Sequence, residues 1–177
     1  MQPDAASGQT REPRYSGLSG NEVYCLSLIG YDAGNLLVGN SVFAMGFIGN
    51  IGSSIRTMVG GEIKQVTNMI AEGRRLSLQR FEQELAQCGG SGASGVTSEL
   101  IMHPGNIEFL TVGSSLHRMD GQAQNAFTTS ADGQELYCQW DAGYQPVGFV
   151  FGNVAYSIGV FKGFLGALRQ LAKGEVK

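Results

Sequence analysis

The chain has 177 residues, which is enough for one ordinary core with an appendage. A net charge of -3 and a pI near 5.3 leave no basic surface of the kind that binds nucleic acid. Charged residues are only 15% of the chain, against roughly 25% in an average soluble domain, and 27 residues are glycine. So few charges favour a subunit that is largely buried in a homo-oligomer.

Residues 1–19 are polar and lack an apolar run, so we expect a flexible tail and no secretory signal. We therefore expect a cytoplasmic protein whose three cysteines are free thiols. Two uncharged stretches, 33–55 and 142–161, contain too many Asn, Ser and Gly residues to predict membrane spans. The basic amphipathic segment 161–171 leaves association with a membrane surface as an alternative, although packing within the protein is favoured.

The chain repeats itself. Residues 20–64 recur as residues 133–177 with a constant offset of 113, and 13 of the 45 aligned positions are identical. The second copy covers only the opening portion of the first unit, so it must pack on that unit or on another chain. The repeat predicts a tail over 1–19, a domain over 20–118, a linker over 119–131 and a half repeat over 132–177.

Three elements are predicted in the first part of the domain. Residues 22–38 are rich in β-formers and interrupted by glycines, which predicts one bent strand or a hairpin. Residues 41–59 are predicted as a short glycine-rich helix. Residues 62–88 are predicted as a long amphipathic helix, because apolar residues recur at spacings of three, four and eight, and the helix ends at Gly89-Gly90.

A hairpin and the second copy complete the order of elements. Residues 95–102 and 107–116 alternate weakly around the turn sequence Pro104-Gly105-Asn106, which predicts a β-hairpin. Residues 135–151 and 154–172 are predicted to repeat the first strand and the first helix. The fold class is therefore α+β, with a β-α-α-β-β unit followed by a partial β-α repeat.

Several short motifs in this unit resemble the YbjQ-like family of small bacterial proteins, whose label names heavy-metal binding. The resemblance covers about residues 22–118, and its motifs are Leu37-Val38-Gly39-Asn40, Ile55-Arg56, Val59-Gly60-Gly61, Ala71-Glu72-Gly73-Arg74-Arg75, Gly92-Ala93-Ser94-Gly95-Val96 and Gly113-Ser114-Ser115-Leu116. It implies an α+β subunit that assembles into a ring, typically a pentamer, without established catalytic activity. The chain departs from the family in its half repeat and in lacking an aromatic residue between Glu62 and Val66.

Two charged positions recur in both copies and are candidate assembly residues. Arg56 returns as Arg169 in an otherwise uncharged stretch, and Glu62 returns as Glu175 six residues later. We expect these residues to form a defined ion pair, within or between subunits, or the arginine to cap helix carbonyls. The glycines beside them complete the predicted assembly set: Gly60, Gly61 and Gly174.

Metal binding is the alternative to a purely structural role. Cys25 and Cys138 are equivalent in the repeat, and a ring could bring such thiolates together as soft-metal ligands, although each can equally be a small buried residue. His103 and His117 are the only histidines, and no motif places either beside a nucleophile. The sequence thus predicts a non-enzymatic, ring-forming protein without a cofactor, in which the half repeat mediates subunit packing.

Overall fold

The computed structural model describes residues 14–44, 61–62, 64–121 and 125–157. Within these ranges the protein is α+β, with one four-stranded sheet, a two-stranded ribbon and three helices. In chain order the elements are α1 (Gly20–Leu28), β1 (Tyr31–Ala44), β2 (Gly61–Glu62), α2 (Lys64–Gln87), β3 (Gly92–His103), β4 (Asn106–Arg118), β5 (Phe127–Thr128), α3 (Gly133–Asp141) and β6 (Tyr156–Ser157).

The prediction of a strand from residue 22 was wrong, because residues 20–28 form helix α1. Ser19 and Glu22 make a reciprocal capping box, in which the Ser19 hydroxyl accepts from the Glu22 amide and the Glu22 carboxylate accepts from the Ser19 amide at 2.7 Å. This cap satisfies amide groups at the helix start and outweighs the β-propensity of the residues that follow. Gly30 then adopts a φ of 82°, which reverses the chain into β1.

Strand β1 extends to Ala44, so the helix predicted over 41–59 was also wrong at its start. The remainder of that predicted helix, residues 45–59, lies outside the described residues. The long helix predicted over 62–88 is observed as α2, and the predicted hairpin is observed as β3 and β4 with Leu100 opposite Phe109. Gly105 provides the positive φ of 88° that the hairpin turn requires.

Helix α2 covers one face of the sheet, whose strand order is β1-β4-β3-β5. The core between them contains Leu37 from β1 and Phe81 and Leu85 from α2, all nearly inaccessible to solvent. Gly39 lies at the closest approach of strand and helix, since a Cβ atom there would stand 2.1 Å from the Ser77 carbonyl oxygen. This contact sets the spacing between α2 and the sheet.

The segment predicted as a polar linker contributes to the core instead. Residues 127–128 form β5, which pairs in parallel with the start of β3. Phe127 and Ala131 are buried, and the Phe127 ring occupies the space that a side chain at position 92 would need. The glycine at position 92 is therefore the reason that β5 can lie against the sheet.

The strand predicted over 135–151 was wrong as well, because residues 133–141 form helix α3. Residues 144–155 have no regular secondary structure, and Tyr156–Ser157 pair with Gly61–Glu62 as the ribbon of β2 and β6. The helix predicted over 154–172 is thus absent at its start, and residues 158–172 lie outside the described residues. No helix in the described part of the chain is long and apolar enough to cross a membrane.

Candidate assembly surface

Helices α1 and α3 have the same local structure at positions 113 residues apart. Asp132 caps α3 as Ser19 caps α1, and Glu135 closes the second capping box as Glu22 closes the first. The two helices are both nine residues long, and Gly143 follows α3 with a φ of 83°, close to the 82° of Gly30. The two segments therefore follow one local folding pattern.

The two helices pack on each other within the chain. The amide of Gly133 donates to Glu22 Oε1 at 3.4 Å, and a Cβ atom at position 133 would lie 2.7 Å from the Glu22 Cβ. Leu26 of α1 and Leu136 of α3 are both fully buried in one cluster. The remaining buried members of the cluster come from the sheet: Tyr31, Leu116 and Phe127. The second copy of the helix is thus part of the core of this chain.

The contact between the helices includes a carboxylate, Glu22, whose pKa is lowered in the folded protein. Burial raises the pKa of Glu22, but hydrogen bonds from the Ser19 amide and hydroxyl and from the Gly133 amide together lower that pKa below 4.5. A lowered folded-state pKa contributes stability that is present above pH 4.5 and is lost as the pH falls through the folded-state value. Protonation of Glu22 therefore weakens its hydrogen bonds to the Ser19 amide, which caps α1, and to the Gly133 amide at the start of α3.

We expect Glu22→Gln to reduce the loss of stability with acid. The free energy of unfolding of the variant should depend less on pH between about 5 and 3 than that of the wild type, because one linked proton is removed. Urea unfolding at a series of pH values measures this slope. Ser19→Ala removes the hydroxyl but keeps the Ser19 amide that donates to Glu22, so it should reduce the slope by a smaller amount, while costing about 1 kcal/mol at neutral pH. An unchanged slope in both variants would contradict this role of Glu22.

The segment after α3 is extended and exposes large apolar side chains. Val147 is 90% exposed and Val150 is 87% exposed. The segment is nevertheless anchored: the Phe149 amide donates to Thr128 Oγ1 at 2.8 Å, and the Ala155 amide donates to Thr67 Oγ1 at 3.0 Å. The segment contacts the rest of the chain at Phe149 and Ala155, while Val147 and Val150 form an apolar surface on the outside of the subunit.

The sheet face opposite α2 is a second apolar surface, which we call the open sheet face. It carries Leu36, Val38 and Val42 of β1, each about half exposed, and Asn40 between the two valines donates to Glu108 of β4. Val38 lies directly opposite Val112 of β4, so apolar side chains continue across adjacent strands. The free edge of β1 beside this face is closed by α2, since Glu84 accepts from the Val38 amide and Arg80 donates to the Asn40 carbonyl oxygen. Any partner must therefore pack on the face and not add a strand there.

The predicted assembly residues are only partly described. Gly61 and Glu62 lie in β2 and pair with Ser157 and Tyr156 of β6, so β2 contacts the predicted half repeat. The other five lie outside the described residues: Arg56, Gly60, Arg169, Gly174 and Glu175. The ion pair between the recurring arginine and glutamate stays a prediction.

The predicted metal ligands lie on helices, not within strands. Cys25 is half-buried on α1, and Cys138 is exposed on α3. His103 contacts Glu108 at 2.9 Å, while burial and the nearby Arg14 lower the pKa of His117. Among the residues that the structure describes, no three His, Cys, Asp or Glu side chains are grouped to hold a metal ion. Metal binding through the cysteines stays a prediction.

One cavity was not foreseen from the sequence. It has a volume of about 270 Å³ and is lined by Tyr31, Phe127, Trp140 and three polar or small neighbours. The Tyr31 ring makes edge-on contacts with the Phe127 and Trp140 rings, each with centroids 5.8 Å apart. These contacts join β1, β5 and α3, so the cavity lies where α3 meets the sheet. Its aromatic residues are widely separated in sequence, which is why no motif marked it.

Known proteins with similar sequences agree with this fold. The family model described as "Putative heavy-metal-binding" (YbjQ-like) matches residues 31–105. A UPF0145 protein of Methanococcus vannielii is 33% identical over 84 residues, which is 46% of this chain and 78% of the relative. A UPF0145 protein of Thermotoga petrophila is 31% identical over 83 residues, which is 46% of this chain and 77% of that relative. The chain therefore belongs to the YbjQ-like UPF0145 family.

A relative from Mycobacterium tuberculosis matches the sequence beyond the family domain. The encapsulin nanocompartment protein Rv1762c is 29% identical over 170 residues, which is 89% of this chain. The chain spans 62% of the length of that relative. The similarity thus extends well beyond residues 31–105.

Proposed function

We propose that this protein is a non-enzymatic, self-assembling subunit with a structural role in the cytoplasm. Its copies form a closed ring, and the family resemblance makes a pentamer the expected stoichiometry. The protein acts without a cofactor, and its partner is a second copy of itself. The half repeat contributes to the contacts between subunits through the surfaces that it leaves exposed.

The open sheet face is the observation that carries this proposal. Val38 on β1 is 47% exposed, and Leu110 and Val112 on the adjacent strand remain partly accessible. Apolar surface extended over two strands is unfavourable in water and marks a protein interaction surface more often than a free surface. The low fraction of charged residues in the whole chain also supports burial in an oligomer, because a subunit that is covered on several sides needs few residues that face water.

The comparison with known proteins supports the same role. One relative carries the name of an encapsulin nanocompartment protein, and the similarity includes most of this chain. The UPF0145 relatives carry names without an activity. An assembly role therefore agrees with these names better than a catalytic role.

The variant Val38→Lys tests this function. The side chain at position 38 points away from α2, so a lysine can reach solvent in the isolated chain while placing a charge in any interface on the open sheet face. We expect the wild type to sediment as a discrete oligomer and Val38→Lys to sediment as a smaller species with unchanged secondary structure. Sedimentation velocity and circular dichroism measure both properties.

Gln83→Lys is the matched control, because it adds the same charge at an exposed position of α2, remote from the open sheet face. This control should keep the oligomeric state of the wild type. A monomeric wild type would overturn the proposed function. An oligomer that Val38→Lys leaves intact would show that the open sheet face is not the interface.

A further inference from the structure

Helix α1 has an apolar face that nothing in the described chain covers. Val23, Tyr24 and Leu28 are all exposed, with Val23 at 39%. Gly20 lies at the start of the same face and has no atom within 4 Å of the position that a Cβ would take. The spacing 20, 23, 24, 27 and 28 places these residues along one side of the helix. We call this side the outer face of α1.

Helix α3 covers most of the face that corresponds to it, although Asp141, the equivalent of Leu28, is exposed. Gly133 is the equivalent of Gly20 and is buried against Glu22, and Leu136 is the equivalent of Val23 and is 0% exposed. Tyr137, the equivalent of Tyr24, is also partly covered. The second helix thus uses, within the chain, the contact face that the first helix leaves free.

The relation is reversed on the opposite sides of the two helices. In α1 that side carries Glu22, Cys25, Leu26 and Ile29, and all four are buried or half-buried, partly by α3. The equivalent residues of α3 are all exposed: Glu135, Cys138, Gln139 and Ala142. We call this exposed side the receiving face of α3. Within one chain, the inner side of α1 therefore packs on the buried side of α3. The outer face of α1 and the receiving face of α3 are the corresponding pair that remains exposed.

We infer that the outer face of α1 from one copy packs on the receiving face of α3 from a second copy. This inference rests on the proposed self-assembly and names the contact that builds it. The contact within the chain is the template: Gly20 of the second copy takes the place of Gly133, and Glu135 takes the place of Glu22. Because the faces differ, the contact is head-to-tail, and such contacts generate rings when the rotation closes.

Two details of the template determine the geometry of the contact. Glu22 accepts from the Ser19 amide through Oε2 and from the Gly133 amide through Oε1, so one carboxylate joins its own cap to the neighbouring helix. Glu135 accepts from the Asp132 amide through Oε2 in the same way. Gln139 replaces Leu26, so the contact between copies has less apolar area than the contact within the chain. We therefore expect the helix contact to be one of several contacts between subunits in the ring, together with the open sheet face.

The variant Gly20→Leu tests this contact. Nothing in the described part of the chain fills the space at position 20, so we expect the substitution to leave folding undisturbed, whereas a Cβ at the equivalent position 133 would collide with Glu22. We expect Gly20→Leu to dissociate the oligomer or change its stoichiometry in native mass spectrometry. Gln83→Leu adds the same side chain at an exposed site of α2 and should leave the assembly unchanged.

Labelling of cysteines with a maleimide reports on the receiving face directly. Cys138 lies on that face and Cys88 is exposed at the end of α2, so Cys88 is the internal reference. In the wild-type oligomer we expect Cys138 to react several-fold more slowly than Cys88, and in Gly20→Leu the two rates should become similar. Peptide mapping by mass spectrometry measures each rate.

The outcomes separate this inference from the proposed function. A wild-type monomer overturns both. An oligomer in which Cys138 reacts as fast as Cys88, and which survives Gly20→Leu, overturns only the helix contact and assigns the outer face of α1 to another occupant. Protection of Cys138 that Gly20→Leu removes supports the contact.

Discussion

Gly39→Ala is expected to destabilise the fold by at least about 3 kcal/mol, at the upper end of the usual cost of overpacking. The new methyl group would stand 2.1 Å from the Ser77 carbonyl oxygen and 2.4 Å from the Phe81 amide nitrogen. Both are backbone atoms of α2 and cannot rotate away, so the helix must retreat from the sheet. That retreat would loosen the cluster of Leu37, Phe81 and Leu85. Urea unfolding measures the loss.

The repeat provides a matched control for this substitution. Gly152 is the equivalent of Gly39 in the second copy, and no atom of the described residues lies within 4 Å of the position that a Cβ would take there. Gly152→Ala should therefore unfold at nearly the same urea concentration as the wild type. Equal stabilities for the two variants would contradict the close packing of α2 on β1.

Leu136→Ala is expected to cost about 2–5 kcal/mol of folding free energy, the range for truncation of a buried leucine. The Leu136 side chain is fully buried with Leu26, Tyr31 and Phe127, so its loss leaves a cavity between α3 and the sheet. The measurement is chemical unfolding followed by circular dichroism. The same contact means that a deletion of residues 132–177 would uncover the core, so point variants test assembly more cleanly than truncation.

Gln134→Ala is the control for this helix, because Gln134 is exposed on α3 outside the receiving face and alanine is a strong helix former. The stability of this variant should stay within about 0.5 kcal/mol of the wild type, as is usual for surface substitutions. If Leu136→Ala were equally harmless, α3 would not be docked on α1 in solution.

The elements that the sequence predicted correctly are those with long periodic patterns. Helix α2 has an apolar stripe over 24 residues, and the hairpin has a Pro-Gly turn between two alternating segments. Helix α1 was missed because its β-branched and aromatic residues favour a strand. A local signal was present, since Ser19 and Glu22 have the spacing of a capping box, and Asp132 and Glu135 repeat it.

The proposed contact between α1 and α3 of two copies could not be predicted from the sequence, although its residues lie in the repeated segments. Gly20 and Gly133 are identical in sequence, but only the structure distinguishes an open position from a buried one. Strand β5 was missed for a similar reason: Phe127 is buried because Gly92, 35 positions earlier, makes room for its ring. Local patterns cannot report such long-range contacts, and these contacts decide which face of a repeated helix stays free.

Native mass spectrometry of the untagged wild-type protein tests the central claim most directly. We expect a single homo-oligomer of defined size, with five subunits as the expected count and with no bound metal. A monomer at micromolar concentration would contradict self-assembly. A metal ion bound in fixed proportion to the subunits would contradict the cofactor-free role and make Cys25 and Cys138 the first candidate ligands.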